Sequence, residues 1–259
     1  MDSIGYRLTD AVCDPPGSTE ALHSERLVRL PGVFMSWRTP VDAPPVAPLP
    51  ALAAGHVTFG SFNGCYKITA AVVRVWARVL RAVEGSRLLL LTVDGAVARR
   101  RLLDLFAANG IGPGQLEFLP RMSHDDFLGA HARVDIALDA FPYHGTTTTC
   151  FSLWMGLPVI VLAGNTHASR VGVTLLRSVG LGHLAAAGED DYVGAAVGLA
   201  GNLAALADTR SGMRARIAAS ALADGPACAR FVEAAFRSMW HDWCSGRTPT
   251  RQAPDATVC

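Results

Sequence analysis

The chain has 259 residues, half of them hydrophobic, with a formal net charge of +1. That is enough apolar material for one large domain that folds without disulfides or a structural metal. The near-zero charge excludes partners held by bulk electrostatics, such as nucleic acid or an anionic membrane surface. No apolar run approaches the ~18 residues that cross a bilayer. The N-terminus carries Asp2 and no basic stretch leading into an apolar run, so no signal peptide is expected. The cysteines at 13, 65, 150, 228, 244 and 259 form no C-x-x-C pair and none stands beside histidines at zinc-ligand spacing. They read as buried reduced thiols of a cytoplasmic protein. Arginine is abundant, and Lys67 is the single lysine. A specific role and chance survival explain that lysine equally well on composition alone.

In chain order, residues 1–38 are mixed. Asp14-Pro15-Pro16-Gly17 is a turn, and Glu20 to Leu30 has helical spacing that stops at Pro31-Gly32. Residues 39–50 hold five prolines in twelve positions, which predicts an extended linker. A rhythm then begins. Strands are predicted at 57–62, 87–93, 116–119, 135–138 and 158–162. Helices are predicted at 68–83, 96–109, from Ser123, at 147–155 and at 169–179, with Gly110, Gly156 and Gly180 at their ends. Beyond about residue 190 the sequence reads as helix only, ending in an aromatic-rich helix from Pro226 to Trp243, and 245–259 reads as a disordered tail. Strands alternating with helices imply an α/β fold: a Rossmann-like parallel sheet with helices on both faces.

Ligands of such sheets bind beyond the carboxyl ends of the strands, and three segments fall there. After the strand at 57–62, Gly64 permits a tight turn and Lys67 stands at the start of the predicted helix. A lysine opposes the helix dipole at that end, which favours a phosphate contact over an idle surface charge. After the strand at 135–138, Gly145 and the threonines Thr146, Thr147, Thr148 and Thr149 lead into a helix. Backbone N–H groups and hydroxyls converge there, and phosphate oxygens suit them. One threonine suffices for an N-cap, so four exceed what capping requires. After the strand at 158–162, Arg170 is placed either to reach a phosphate or to form a structural ion pair. The loop histidines His144 and His167 carry no catalytic assignment. Neither G-x-G-x-x-G after a strand, nor G-x-S-x-G, nor G-x-x-x-x-G-K-[ST] occurs, which disfavours dinucleotide, hydrolase and Walker A readings.

The motifs YRLTD (6–10), RLVRLPGVF (26–34), FGSFNGCYKI (59–68), DIALDAFPYHGTTTTCFSLWMGLPVIVLAG (135–164) and HASRVGVTLLRSVGL (167–181) together resemble the O-linked N-acetylglucosamine transferases of glycosyltransferase family 41. The wording is that of their bacterial SPINDLY-type branch, over roughly residues 6–243. The resemblance implies the C-terminal, donor-binding half of a glycosyltransferase-B fold, spanning 51–244 and preceded by a remnant of the first catalytic domain and the linker at 1–50. It implies a UDP-N-acetylglucosamine donor, inverting transfer to serine or threonine hydroxyls of an acceptor protein, and no metal or other cofactor. It assigns the donor diphosphate to Lys67, Gly145, Thr146, Thr147 and Thr148, with Lys67 stabilising the departing UDP, and the uracil to Met122 and His124. It also implies a first catalytic domain or repeat protein as a partner when that part is separately encoded. The sequence departs from the family where Phe151 replaces the acidic residue that holds the ribose, and where Phe127 replaces a histidine found beside the nucleotide in some members.

Overall fold

The computed structural model describes residues 4–91 and 95–247. The tail expected at 245–259 lies, beyond Arg247, outside the described residues, as does the end of the apolar run at 87–93. The N-terminal segment forms a two-stranded parallel sheet, β1 (Tyr6–Asp10) against β2 (Arg26–Leu30). This corrects the helix expected at Glu20–Leu30, of which only a 3-10 turn at Glu20–Leu22 exists. Leu27 and Leu30 fit a helical face, but pairing with β1, in register from Tyr6–Arg26 to Asp10–Leu30, gives one edge of β2 its backbone partners and decides the outcome.

The Pro-rich stretch is extended, as expected, but it is strapped down. Arg210 is 1% exposed; its guanidinium donates to the carbonyls of Ala47 (2.7 Å), Val134 (2.8 Å) and His131 (3.3 Å). A short helix, α1 (Ala51–Ala54), closes the stretch. Then follow β3 (Thr58–Ser61), α2 (Ala70–Ala82), β4 (Arg87–Leu90), α3 (Ala96–Ala108), β5 (Leu116–Phe118), α4 (His124–Ala130), β6 (Ile136–Leu138), α5 (Thr147–Trp154), β7 (Val159–Leu162), α6 (Val171–Ser178) and β8 (Ala185–Ala186). The two-residue β8 had no counterpart in the sequence reading. The chain ends in α7 (Glu189–Ala200), α8 (Leu203–Ala218) and α9 (Gly225–Cys244).

The six strands β3 to β8 pair in parallel in the order β5-β4-β3-β6-β7-β8. Alternate side chains of one strand enter opposite cores. Leu88, Leu90, Ile136, Leu138 and Ile160 join α2, α3 and α7, whereas Leu89, Leu91, Ala137, Val159 and Val161 join α5, α6 and α8. Both faces are therefore covered, which explains the unbroken apolar runs in the sequence. The strand order reverses at β3, with β4 on one side and β6 on the other. The loops leaving β3 and β6 diverge at that point and open a crevice at the carboxyl ends of the strands. α9 has no buried residue, and Phe236, Trp240 and Trp243 stand exposed along it.

Candidate functional site

The loop leaving β3 carries Asn63 and Lys67. The expected start of the following helix is corrected here: Lys67 belongs to a 3-10 turn, Cys65–Lys67, and α2 begins only at Ala70. Thr69 is the N-cap, accepting the N–H of Val72. Ile68 is fully buried, which gave the false impression of a helical face. Lys67 thus does not oppose the α2 dipole; it is turned towards the neighbouring loop. Its Nζ donates to the carbonyl of His144 at 2.8 Å, lies 3.4 Å from Oδ1 of Asn63, and sits 3.9 Å from the ring centre of Tyr143. Burial pushes its pKa below the ordinary lysine value, with the Asp139 carboxylate opposing that shift.

The loop leaving β6 runs from Asp139 to Thr146. Asp139 is 2% exposed, and its carboxylate accepts from three groups. Asn63 Nδ2 donates at 2.7 Å, the Gly145 N–H at 2.9 and 3.1 Å to the two oxygens, and the Thr149 hydroxyl at 3.2 Å. Gly145 is required: a Cβ there would stand 2.4 Å from the Thr148 hydroxyl and 2.6 Å from that of Thr149. Thr148 Oγ1 reaches Oδ1 of Asn63 at 3.4 Å, so Lys67 and Thr148 share one acceptor. Thr146 occupies the N-cap position of α5 without capping it. The amides of the first turn therefore face the crevice without helical acceptors. A lysine ammonium, an uncapped helix N-terminus and threonine hydroxyls meet in one cradle, an arrangement complementary to phosphate oxygens.

His144 is a strut under this cradle. It is 1% exposed; its Nε2 donates to the Leu162 carbonyl at 2.9 Å and its Nδ1 accepts the Gly172 N–H at 3.1 Å. Gly172 is held to glycine because a Cβ there would lie 2.6 Å from Val161 and 2.9 Å from His144. Arg170 donates from Nε to the Val12 carbonyl at 2.7 Å and from Nη1 to that of Gly164 at 3.2 Å. Among its described contacts none joins it to Lys67 or the threonines. It ties the N-terminal segment to the loop after β7.

The start of α4 lies beside α5. Ser123 caps α4, accepting the Asp126 N–H at 3.2 Å. His124 is exposed, with its ring 5.4 Å from Phe151, and Phe127 is 5.6 Å from Phe151. Trp37 packs on the other edge of Phe151 at 5.6 Å. Below them His131 is fully buried and stacked on Phe62 at 3.7 Å. Burial depresses its pKa to about 4. The result is an aromatic shelf next to the cradle, with a cleft of about 320 Å³ opening between His124 and the linker at Pro40 and Val41. Met122 is half-buried and packs against the core that holds α5, α6 and α8.

Sequence reasoning assembled Lys67 with Gly145 and the threonines but overlooked Asn63 and Asp139. Their signal was position: each stands within two residues of the end of a strand bordering the reversal of strand order.

Comparison with known proteins decides the family. The model of glycosyl transferase family 41 matches residues 49–230. The chain belongs to glycosyl transferase family 41. Within the family it is 43% identical to the probable UDP-N-acetylglucosamine–peptide N-acetylglucosaminyltransferase SPINDLY of Solanum lycopersicum and 44% identical to that of Arabidopsis thaliana. Each alignment covers 96% of this chain, but only 27% and 28% of the relatives. Among solved structures, a mutant O-GlcNAc transferase of Thermobaculum terrenum superposes with a TM-score of 0.87 at 34% identity, covering 95% of this chain and 47% of that one. The family 41 chain thus has the fold of one half of a glycosyltransferase-B catalytic unit, and it spans about a quarter of the length of its curated relatives.

Proposed function

We propose that the crevice between the β3 and β6 loops binds the UDP moiety of UDP-N-acetylglucosamine, for inverting transfer to serine or threonine hydroxyls of a protein. The observation that carries this reading is the shared acceptor Asn63, which joins Lys67 to Thr148 at the uncapped start of α5. Lys67, Gly145, Thr146, Thr147 and Thr148 take the diphosphate. The N–H groups at the start of α5 and the ammonium meet the charge that develops as UDP departs, while Gly145 spends its own N–H on Asp139 and gives the loop room. No metal ion or cofactor is assigned, because these donors supply the counter-charge. His124 and Met122 border the uracil, and Arg170 holds the loop edge through Val12 and Gly164. The acceptor side is assigned to the remainder of the catalytic unit, in the same chain or a separately encoded partner, with residues 1–50 as its boundary. We place the protein in the cytoplasm; no described helix is long and apolar enough to cross a membrane.

A second reading, a nucleotide-binding unit without transfer activity, is favoured by Phe151. Its ring is engaged by Trp37 and Phe127 and cannot accept a ribose hydroxyl. Calorimetric titration of UDP tests the donor-site reading. Saturable binding weakened by about 2 kcal/mol in Lys67→Ala, roughly thirtyfold, is expected from loss of a charge-assisted contact. A folded protein that does not bind UDP contradicts the reading. Turnover of UDP-N-acetylglucosamine with a protein acceptor separates the transferase from the binding unit.

A further inference from the structure

A second cluster of titratable side chains lies outside the phosphate cradle. Asp14, after β1, is fully buried. Its Oδ1 lies 3.2 Å from Nε2 of His23, and its Oδ2 meets Nδ1 of His167 at 2.7 Å and the Thr9 hydroxyl. Burial pushes the Asp14 carboxyl up, but the hydrogen bonds from Thr9 and His167 outweigh it and hold the group below the usual carboxylate range. An ionised carboxylate only accepts, so Nδ1 of His167 carries a proton, and in the neutral tautomer this fixes, Nε2 is the acceptor. Phe34 packs edge-on against that ring at 5.1 Å. Among the described residues Nε2 has no hydrogen-bond partner, and the side chain keeps 17% of its surface.

His167 opens the 3-10 turn that follows β7, the strand next to β6. The carbonyl of its neighbour Ala168 accepts the His144 N–H at 3.1 Å, and the His144 carbonyl is the one that holds Lys67. The loop that carries His167 is therefore tied, through two hydrogen bonds, to the loop that holds Lys67. A fixed acceptor at that place has no use for phosphate oxygens, which bring no hydrogen. The group attached beyond the diphosphate does bring hydroxyl and amide hydrogens.

We propose that His167, oriented by buried Asp14, is a specificity-determining contact for the donor's sugar, its Nε2 accepting a hydroxyl or amide hydrogen. This rests on the donor-site reading above. The test titrates UDP and UDP-N-acetylglucosamine separately into the full chain, as wild type, His167→Ala and His167→Phe. The phenylalanine keeps the packing on Phe34 and removes the nitrogens. Expected is UDP affinity within about twofold of wild type for both variants, with affinity for the sugar nucleotide lowered about tenfold, the size of one lost hydrogen bond. Variants that bind both ligands like the wild type overturn the proposal alone. Variants that lose both ligands equally overturn it too, and leave His167 a structural strut. A wild-type protein that binds neither ligand overturns the donor-site reading itself.

Discussion

The cradle and the aromatic shelf stand side by side at the ends of the same strands, yet they are built on opposite principles. The cradle is polar to its floor. Buried Asp139 organises Gly145, Asn63 and Thr149, and through Asn63 it steadies Lys67. The shelf is apolar to its floor. Phe62 stacks on neutral His131, and Phe127 packs edge-on against both His131 and Phe151. The difference teaches that the cradle is preorganised by hydrogen bonds that fix direction, while the shelf offers surface without a directed acceptor.

The largest effect belongs to the cradle floor. Asp139→Ala leaves the Gly145 N–H and the Asn63 amide without their acceptor, and about 3 kcal/mol or more of stability should be lost in urea unfolding, together with UDP binding. If that variant unfolds at the wild-type midpoint, the cradle is not organised by Asp139.

The shelf should instead reveal itself through acid. His131 is held neutral, with a pKa near 4 against an ordinary 6.5. Its contribution is intact above pH 6.5 and declines as pH falls towards 4, because the unfolded chain takes up the proton first. About 3 kcal/mol is at stake over that window. Unfolding midpoints measured between pH 7 and 4 should show this slope in the wild type and a shallower one in His131→Phe.

A smaller change sharpens the comparison by giving the shelf what it lacks. Phe151→Glu supplies a carboxylate to the ribose and should tighten UDP binding by about 1 kcal/mol, while losing about as much stability through the contacts with Trp37 and Phe127. No gain in affinity would mean that the ribose does not lie against Phe151.

The smallest effects concern the thiols. Burial pushes Cys150 up to about 12 and Cys13 higher still, whereas Cys244 is exposed. A thiol reagent applied to the native protein should modify Cys244 and spare the other two, with mass spectrometry as the readout.

The α/β rhythm from residue 56 to 180 was legible because its signals are local. Ser123 and the glycines after α3, α5 and α6 punctuate the chain, and strands buried on both faces are apolar without interruption. The pairing of β1 with β2 was not legible, since five residues with mixed spacing become a strand only beside a partner brought from elsewhere. Lys67 and the threonines were legible as a pair of loops. Asp139 was not, because a carboxylate beside a proposed phosphate site looks repulsive until its three donors are seen to consume it. Arg170 reads in the sequence as a phosphate contact or an ion-pair partner, whereas its hydrogen-bond partners are the carbonyls of Val12 and Gly164, which only the fold brings to it.

Hydrogen exchange in the presence of UDP tests the central claim most directly, because it reports on the amides that the cradle presents. The account predicts that UDP slows exchange most strongly at residues 145–149, with a lesser effect at 63–67. Binding of UDP with unchanged exchange at 145–149, or with protection concentrated elsewhere, would contradict it.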